Sequence, residues 1–326
     1  MTASNSQGPI VAVIGSTGSQ GGSVIDHLIS SDKPYRLRAI TRDASKDAAK
    51  NLAEKGCEVV EADIDKREDL DRAFKGAEIV FAVTNFWAHC DGERELNDGK
   101  RMGDAAVAAG TVKRFIWSGV EHVKNGSGGK FDRVEHFDRK ADVTTYLKTL
   151  PLPLTVVQAG CYMSNFLGYL PGVEPHLVGE KTVEFTLPMR PEGKLALLDV
   201  NRDYGAFVRA ALEAETGKDE LLACAEEITV QQFVDDFAAA TRLSTSFRQV
   251  STDEFVSLFK GQEAMGLELA QMQQWFDEFG YFGSKDFGPS LRIVKDSQAP
   301  STPRSWKDFV AAQDWEWLVK GEKKHE

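Results

Sequence analysis

A short apolar run that ends in a cluster of glycines limits what this chain can fold into. Residues 10–14 read Ile-Val-Ala-Val-Ile, and glycines at positions 15, 18, 21 and 22 follow directly. A continuous β-branched run of this length is typical of a strand that is buried on both faces of a parallel sheet. The glycines allow a tight turn into the helix that we predict for residues 23–29. The segment is therefore the start of a β-strand–helix–β-strand unit.

The alternation of strand and helix patterns continues through the first half of the chain. Alternation of this kind favours right-handed crossovers and a doubly wound parallel sheet, so we expect an α/β fold. Further strands are predicted at 35–41, 58–62, 79–83, 115–117 and 154–157, and helices at 46–56, 69–74, 94–109 and 136–149.

The regular alternation stops after residue 160. A strand is predicted at 195–200, and a helix at 201–212 is expected to return to the sheet. Further on, apolar residues at helical spacing predict amphipathic helices. We therefore expect residues 1–160, together with 195–212, to form one domain. Residues 161–194 and 213–326 are expected to form a smaller, helix-rich lobe.

The composition argues against several classes of function. The 326 residues include 50 acidic and 39 basic side chains, a net charge of −11, which disfavours direct binding to nucleic acid or anionic lipid. The four cysteines are widely spaced, so neither a metal site nor a disulfide framework is expected. The longest apolar runs are too short to cross a membrane, and the N-terminus lacks a signal-peptide pattern. We expect a cytoplasmic chain, with entry into the nucleus left open.

The glycine-rich loop is expected to bind a dinucleotide. It follows a predicted strand and opens a predicted helix, which is the context that a dinucleotide motif requires. Glycines let the backbone approach a pyrophosphate, and the helix N-terminus offers free N–H groups. The alternative is a plain turn without a ligand. The loop residues expected at the cofactor are Gly15, Thr17, Gly18, Ser19, Gln20 and Gly21.

The end of the second predicted strand decides which cofactor fits the loop. NAD-preferring sites place Asp or Glu there for the ribose 2′-hydroxyl, whereas NADP sites use a nearby Arg for the 2′-phosphate. Here Arg42 occupies this position and Asp43 follows one residue later, so NADP(H) is expected. The alternative for Arg42 is a solvated surface charge. Asp63, after the third strand, is placed either to bind the adenine amine or to cap the next helix.

Five separate blocks of sequence carry a resemblance to a known family. They read GSTGSQGGSV, TRD, VTNFWAHC, WSGVEHVKN and HFDRKADVTTYL, and most of the first 165 residues take part. The chain resembles the NmrA-like family, an atypical branch of the short-chain dehydrogenases, and within it the NADP(H)-sensing, redox-regulator type. The resemblance implies a Rossmann domain that binds NADP(H) and a smaller C-terminal lobe that closes a cleft. Beyond residue 195 only the order of elements matches.

The resemblance also implies positions for the nicotinamide half of the cofactor. The segment after the fourth predicted strand would lie beside the nicotinamide, and a lysine of the family would contact its ribose. The segment after the sixth strand would line the nicotinamide amide. The residues that match these positions are Thr84, Asn85, Phe86, Lys140, Cys161 and Tyr162.

The tyrosine of a catalytic short-chain dehydrogenase is missing. Such enzymes use Tyr-x-x-x-Lys, and here the same spacing places His136 four residues before Lys140, on one face of a helix. Ser118 matches the family's hydroxyl partner. In one reading Lys140 only binds the ribose, and the protein senses NADP(H) without turnover. In the other, His136 or Lys140 is the general acid of a hydride transfer.

The leading hypothesis is an NADP(H)-binding redox sensor and regulator, whose conformation, oligomeric state or partner binding depends on the cofactor. The second is an NADPH-dependent reductase of a small carbonyl or alkene compound. A regulatory protein partner, a small-molecule ligand and a homodimer are expectations that come with these hypotheses. Direct binding of DNA is disfavoured by the charge and by the lack of a recognition motif.

Overall fold

The computed structural model describes residues 8–168, 173–179, 182–214, 219–297 and 302–320. The strands are β1 Ile10–Val13, β2 Arg36–Thr41, β3 Glu58–Glu61, β4 Ile79–Ala82, β5 Arg114–Trp117, β6 Leu154–Ala159, β7 Cys161–Tyr162, β8 His176–Val178, β9 Thr182–Leu187, β10 Lys194–Leu198, β11 Glu220–Ala223, β12 Glu226–Thr229 and β13 Ser244–Gln249. The helices are α1 Ser19–Ile29, α2 Asp47–Glu54, α3 Arg67–Phe74, α4 Gly92–Ala109, α5 Val123–Gly126, α6 Glu135–Leu147, α7 Val200–Glu213, α8 Val230–Thr241, α9 Thr252–Ser257, α10 Glu263–Phe279, α11 Gly288–Asp296, α12 Trp306–Ala311 and α13 Glu316–Val319.

Seven parallel strands form the central sheet, in the order β11-β6-β5-β4-β1-β2-β3. Strand β1 lies in the middle, with Val11 paired to Leu37 of β2 on one side and to Ile79 of β4 on the other. The chain therefore winds outward from β1 in both directions. The expected α/β fold with a doubly wound, Rossmann-type sheet is confirmed.

Strand β1 is buried on both faces, as its apolar run predicts. Val11 and Val13 pack into the layer that α1 and α7 cover, and Ala12 and Ile14 pack into the layer formed by α3, α4 and α6. None of these four side chains is more than 3% exposed. The sheet is thus the middle layer of three, and its strand ends are the edges left open to a ligand.

Helix α1 begins at Ser19, four residues before the start predicted from the sequence. Gly21 and Gly22 are helical, so the glycine cluster contributes half of its residues to the helix. The backbone of α1 passes close to the turn before it, which explains the glycine at position 21: a Cβ there would lie 2.3 Å from the carbonyl oxygen of Gly15. The helix therefore crosses directly under the turn that precedes it.

Two strands lie where the sequence did not place them. Strand β11 pairs with β6 in the central sheet, although its residues fall in the segment 213–326 assigned to the smaller lobe. Strand β10, predicted as 195–200, pairs instead with β7 and β12 in a separate three-stranded sheet. Helix α7 does return to the central sheet, where the Tyr204 hydroxyl donates to the Val157 carbonyl at 3.0 Å. The exact domain boundaries stay a prediction.

A second core is formed mainly by residues that follow β6. Helices α8, α10 and α12 pack there against two small sheets, one of β7, β10 and β12 and one of β8, β9 and β13. Aromatic side chains dominate this core, with Phe233 stacked on Trp306 at 4.2 Å between ring centres. No helix in the described ranges is long and apolar enough to cross a membrane.

Candidate functional site

Two adjoining cavities lie at the carboxyl ends of the central strands. The outer groove, about 550 Å³ in volume, is lined by the loops that follow β1, β2, β3 and β4. The inner cavity, about 250 Å³ in volume, lies between the end of the sheet and helix α10. The two share the lining residues Gln20, Val83, Thr84, Asn85 and Tyr162.

The structure brings the residues singled out in the sequence to these two cavities. Those that line the outer groove are Gly15, Thr17, Gly18, Ser19, Gln20, Gly21, Arg42, Asp63, Thr84, Asn85 and Tyr162. Those that line the inner cavity are Gln20, Thr84, Asn85, Phe86, Ser118, His136, Lys140, Cys161 and Tyr162. They come from the loops that follow β1 to β5, the first turn of α1, helix α6 and strand β7. The parallel sheet places the five loops on one edge, and the other elements pack beside that edge. Their roles stay predictions.

The glycine-rich loop leaves the N-terminus of α1 open to the outer groove. Gly15 has φ +65°, a conformation that favours glycine, and its carbonyl accepts the Gly18 N–H at 2.9 Å. Gly18 is the N-cap residue, and no side chain caps the helix. The first N–H groups of α1 therefore have no side-chain acceptor and face a groove, which is the arrangement that binds an anion.

A basic pair occupies the end of the groove beyond β2. Arg42 and Lys46 line the groove and are exposed, and neither forms an ion pair within the described residues. Asp43 is engaged elsewhere, because its carboxylate accepts the Ser45 hydroxyl at 2.6 Å and the Ser45 N–H at 2.9 Å. These hydrogen bonds lower the pKa of Asp43. This end of the groove therefore offers two cations to an anionic ligand.

Asp63 lies beside this end, but it does not cap helix α3. The N-cap residue of α3 is Lys66, and the Asp63 carboxylate accepts the Asp65 N–H at 3.1 Å within its own turn. The capping alternative is therefore wrong, because three residues of turn separate Asp63 from the helix start. Contact with an adenine amine stays a prediction.

Gln20 and Tyr162 meet where the two cavities join. The Gln20 Nε2 donates to the Tyr162 hydroxyl at 2.5 Å, across 142 residues of sequence. Burial raises the pKa of Tyr162 to about 12, so the phenol keeps its proton at neutral pH. The Gln20 Oε1 is buried and has no hydrogen-bond partner among the described residues. Gln20 and Tyr162 line both cavities.

Lys140 is held at the junction by three acceptors. Its Nζ donates to the Thr84 carbonyl at 3.0 Å, to the Thr84 hydroxyl at 2.6 Å and to the Glu95 Oε1. Sequence reasoning missed Glu95. A signal was present, because Glu95 precedes Asp98 and Gly99 by three and four residues and so lies on the buried stripe of α4.

His136 lines the inner cavity but is tied to the C-terminal lobe. Its Nδ1 lies 2.5 Å and its backbone N 2.8 Å from the same Glu268 Oε1. Its Nε2 lies 3.3 Å from the Met272 sulfur, and its ring packs against Trp87 at 4.8 Å. Glu268 and Met272 belong to α10 and were also missed, because they lie 132 and 136 residues after His136 and no local pattern links α6 with α10.

Ser118 and Cys161 occupy the sheet side of the inner cavity. Burial raises the pKa of Tyr204, and the hydrogen bond from Ser118 opposes this effect. Burial likewise raises the pKa of Cys161 to about 12, so its thiol is protonated and unreactive at neutral pH.

Comparison with known proteins agrees with this geometry. The model of the NmrA-like family matches residues 8–310. The NmrA-like family domain-containing oxidoreductase cpsB of Aspergillus campestris is 29% identical over 338 residues, which covers 95% of this chain and 96% of cpsB. The crystal structure of NmrA, a negative transcriptional regulator, in complex with NADP superposes with a TM-score of 0.78 at 22% identity and covers 97% of this chain and 98% of that one.

A second solved structure has the same fold. It is the NADPH-dependent quinone oxidoreductase QOR2 of Escherichia coli complexed with NADPH, with a TM-score of 0.70 at 18% identity. It covers 93% of this chain, and 98% of its own chain takes part. At these identities the two structural likenesses establish the fold alone.

Proposed function

Since this chain belongs to the NmrA-like family, we propose that it binds NADP(H) along the two cavities and acts as a redox sensor and regulator. The outer groove would hold the adenine half, with the pyrophosphate at the N-terminus of α1. Arg42 and Lys46 would bind the 2′-phosphate. The nicotinamide half would reach the junction, where Gln20 Oε1 offers a buried acceptor and Lys140 a partly buried cation.

The observation that carries the regulatory role is the position of helix α6 between the site and the C-terminal lobe. His136 and Lys140 lie one turn apart near the start of α6, so this part of the helix presents Lys140 to the junction and is held to α10 through His136 and Glu268. A movement of this part of α6 on binding would therefore be felt by α10. His136 occupies the place of the missing tyrosine, and its Nδ1 is engaged by Glu268. Regulation requires that two conformations of the protein bind the cofactor with different affinity.

The cofactor site is tested by titration with NADPH, NADP⁺ and NADH on wild-type protein and on Arg42→Ala, followed by tryptophan fluorescence. Tighter binding of the phosphorylated cofactors is expected, and the variant should lose that preference because it lacks a charge-assisted contact to the phosphate. Lys33→Ala is the matched control, since Lys33 is exposed and lines neither cavity. Equal preference in wild type and Arg42→Ala would contradict the assignment.

The regulatory role is tested by hydrogen exchange with and without NADPH. Amides of α10 should change their exchange rate on binding, and the change should be lost in Glu268→Ala while binding itself is kept. Exchange in α10 that is indifferent to NADPH, together with an unchanged oligomeric state, would overturn the regulatory role.

A second candidate function is an NADPH-dependent reductase of a small carbonyl or alkene compound. The inner cavity favours it, because aromatic and thioether side chains line a space of about 250 Å³ next to Lys140 and His136. The bound cofactor would supply a hydride to the substrate carbon, and Lys140 or His136 would supply the proton. Substrate-dependent oxidation of NADPH that is lost in Lys140→Ala, with NADPH affinity retained, would support it. No turnover across a broad panel of carbonyls and alkenes would exclude it.

A further inference from the structure

A fully buried carboxylate lies behind Lys140. Glu95 of helix α4 is 0% exposed, and its Oε1 accepts both the Lys140 ammonium and the Thr84 hydroxyl. The other oxygen, Oε2, is buried and has no hydrogen-bond partner among the described residues. The Nε2 of His89 lies 3.7 Å from the Glu95 Oε2.

The fold does not require this carboxylate. The N-terminus of α4 is capped by Asp91, whose side chain accepts the N–H groups of Glu93 and Arg94 at 3.0 and 3.1 Å. Packing of α4 on α6 depends on small residues, since a Cβ at Gly99 would lie 2.4 Å from Val143. A buried carboxylate with an unpartnered oxygen costs free energy. A role in binding or catalysis is one reason why a folded protein keeps such a group.

Glu95 controls the freedom of the Lys140 side chain. The Lys140 ammonium contacts three acceptors, two on Thr84 and one on Glu95. A ligand hydroxyl would take the place of one Thr84 acceptor, and Glu95 would keep the ammonium at the junction. A lysine side chain loses rotamer entropy when it is ordered. Thr84 and Glu95 supply that ordering, so a ligand that contacts Lys140 does not have to supply it.

We propose that Glu95 is the positioning residue of the cofactor site, and that it holds Lys140 in place for the hydroxyls of the nicotinamide-side ribose. This inference rests on the proposed binding of NADP(H). His89 is part of the same arrangement. Its Nδ1 accepts the Asp91 N–H at 3.1 Å, so in the neutral ring Nε2 carries the hydrogen and faces Glu95. His89 also lines the outer groove.

The test compares two ligands on the variant Glu95→Gln. NADPH contains the nicotinamide ribose, whereas adenosine 2′,5′-bisphosphate carries the 2′-phosphate but ends before that ribose. The variant should bind NADPH about tenfold more weakly, the loss of one charge-assisted hydrogen bond, and should bind the bisphosphate as wild type does. Glu93→Gln is the matched control, because Glu93 has the same substitution two residues away with its side chain 69% exposed.

Each outcome decides the inference. Equal losses of affinity for both ligands would overturn it, because they would mean that Glu95 only supports the fold. Unchanged affinity for NADPH would also overturn it. If wild type binds neither ligand, the proposed function itself is wrong, a result distinct from either of these.

A second comparison tests the inference even if the single variant Glu95→Gln is unstable. Removing both charges in Glu95→Gln with Lys140→Gln leaves no buried charge without a partner, so the double variant should fold. It should bind NADPH as weakly as Lys140→Gln, because Glu95 acts through Lys140. A further loss in the double variant would overturn the inference.

Discussion

Replacing Gly21 by alanine is the most direct test of how the glycine-rich loop is built. The new Cβ would lie 2.3 Å from the Gly15 oxygen, 2.6 Å from the Gly15 carbonyl carbon and 3.0 Å from the Ser16 Cα. All three are backbone atoms, so no side chain can rotate away. The turn must open until these distances reach at least 3.0 Å, the limit for real Cβ contacts.

Gly22 is the matched position for this experiment. It lies next to Gly21 in α1, and a Cβ there would have its nearest neighbour, the Ser16 oxygen, at 3.7 Å, an ordinary contact. Both substitutions gain about 1 kcal/mol of helix propensity. The difference between the two variants therefore isolates the steric conflict, for which about 1–3 kcal/mol of unfolding free energy is expected.

The assay is urea unfolding of both variants, with an NADPH titration on the same preparations. Gly22→Ala should be as stable as wild type or more so, and Gly21→Ala less stable than Gly22→Ala by the stated difference. Gly21→Ala should also lose NADPH affinity, since the shifted turn moves the N–H groups that face the groove. Equal stabilities of the two variants, or wild-type binding by Gly21→Ala, would refute the argument.

Two further predictions concern titratable groups outside the cofactor contacts. Burial raises the pKa of Asp203 from 3.8 to about 6, so its contribution to stability is fully present below about pH 4 and is lost as pH rises through 6. Asp203→Asn should therefore exceed wild type in unfolding free energy by up to about 3 kcal/mol at pH 7 and by nothing near pH 4. The exposed Asp32→Asn is the control and should show no gain. A gain in Asp203→Asn that does not depend on pH, or no gain at all, would contradict this. A thiol reagent should modify only Cys90 in the native protein, because it is exposed while the other three cysteines are buried, which raises the pKa of each thiol. Fast labelling of native Cys90→Ser would show that reasoning to be wrong.

Local sequence was sufficient for six of the seven strands of the central sheet and for one side of the site. The run at β1 predicts a strand buried on both faces because each of its side chains is apolar, whichever face it meets. Strand ends of a parallel sheet share one edge, so the loop after β1 and Arg42 after β2 could be expected at one groove. Strand β11 was missed, because its pairing partner β6 lies more than 60 residues away. No local pattern shows that this short segment joins the central sheet as its seventh strand.

Contacts between distant segments decided the rest of the site. Local patterns predicted the α/β fold, the glycine-rich loop and the basic residue after β2. They also placed Lys140 and His136 on one face of a helix. Only the tertiary structure paired Lys140 with Glu95 and His136 with Glu268. A periodic pattern reports which face of an element is buried, but it does not report which charge of another element will meet it. That choice depends on how the helices pack, and it determines which groups at the site are free to bind a ligand.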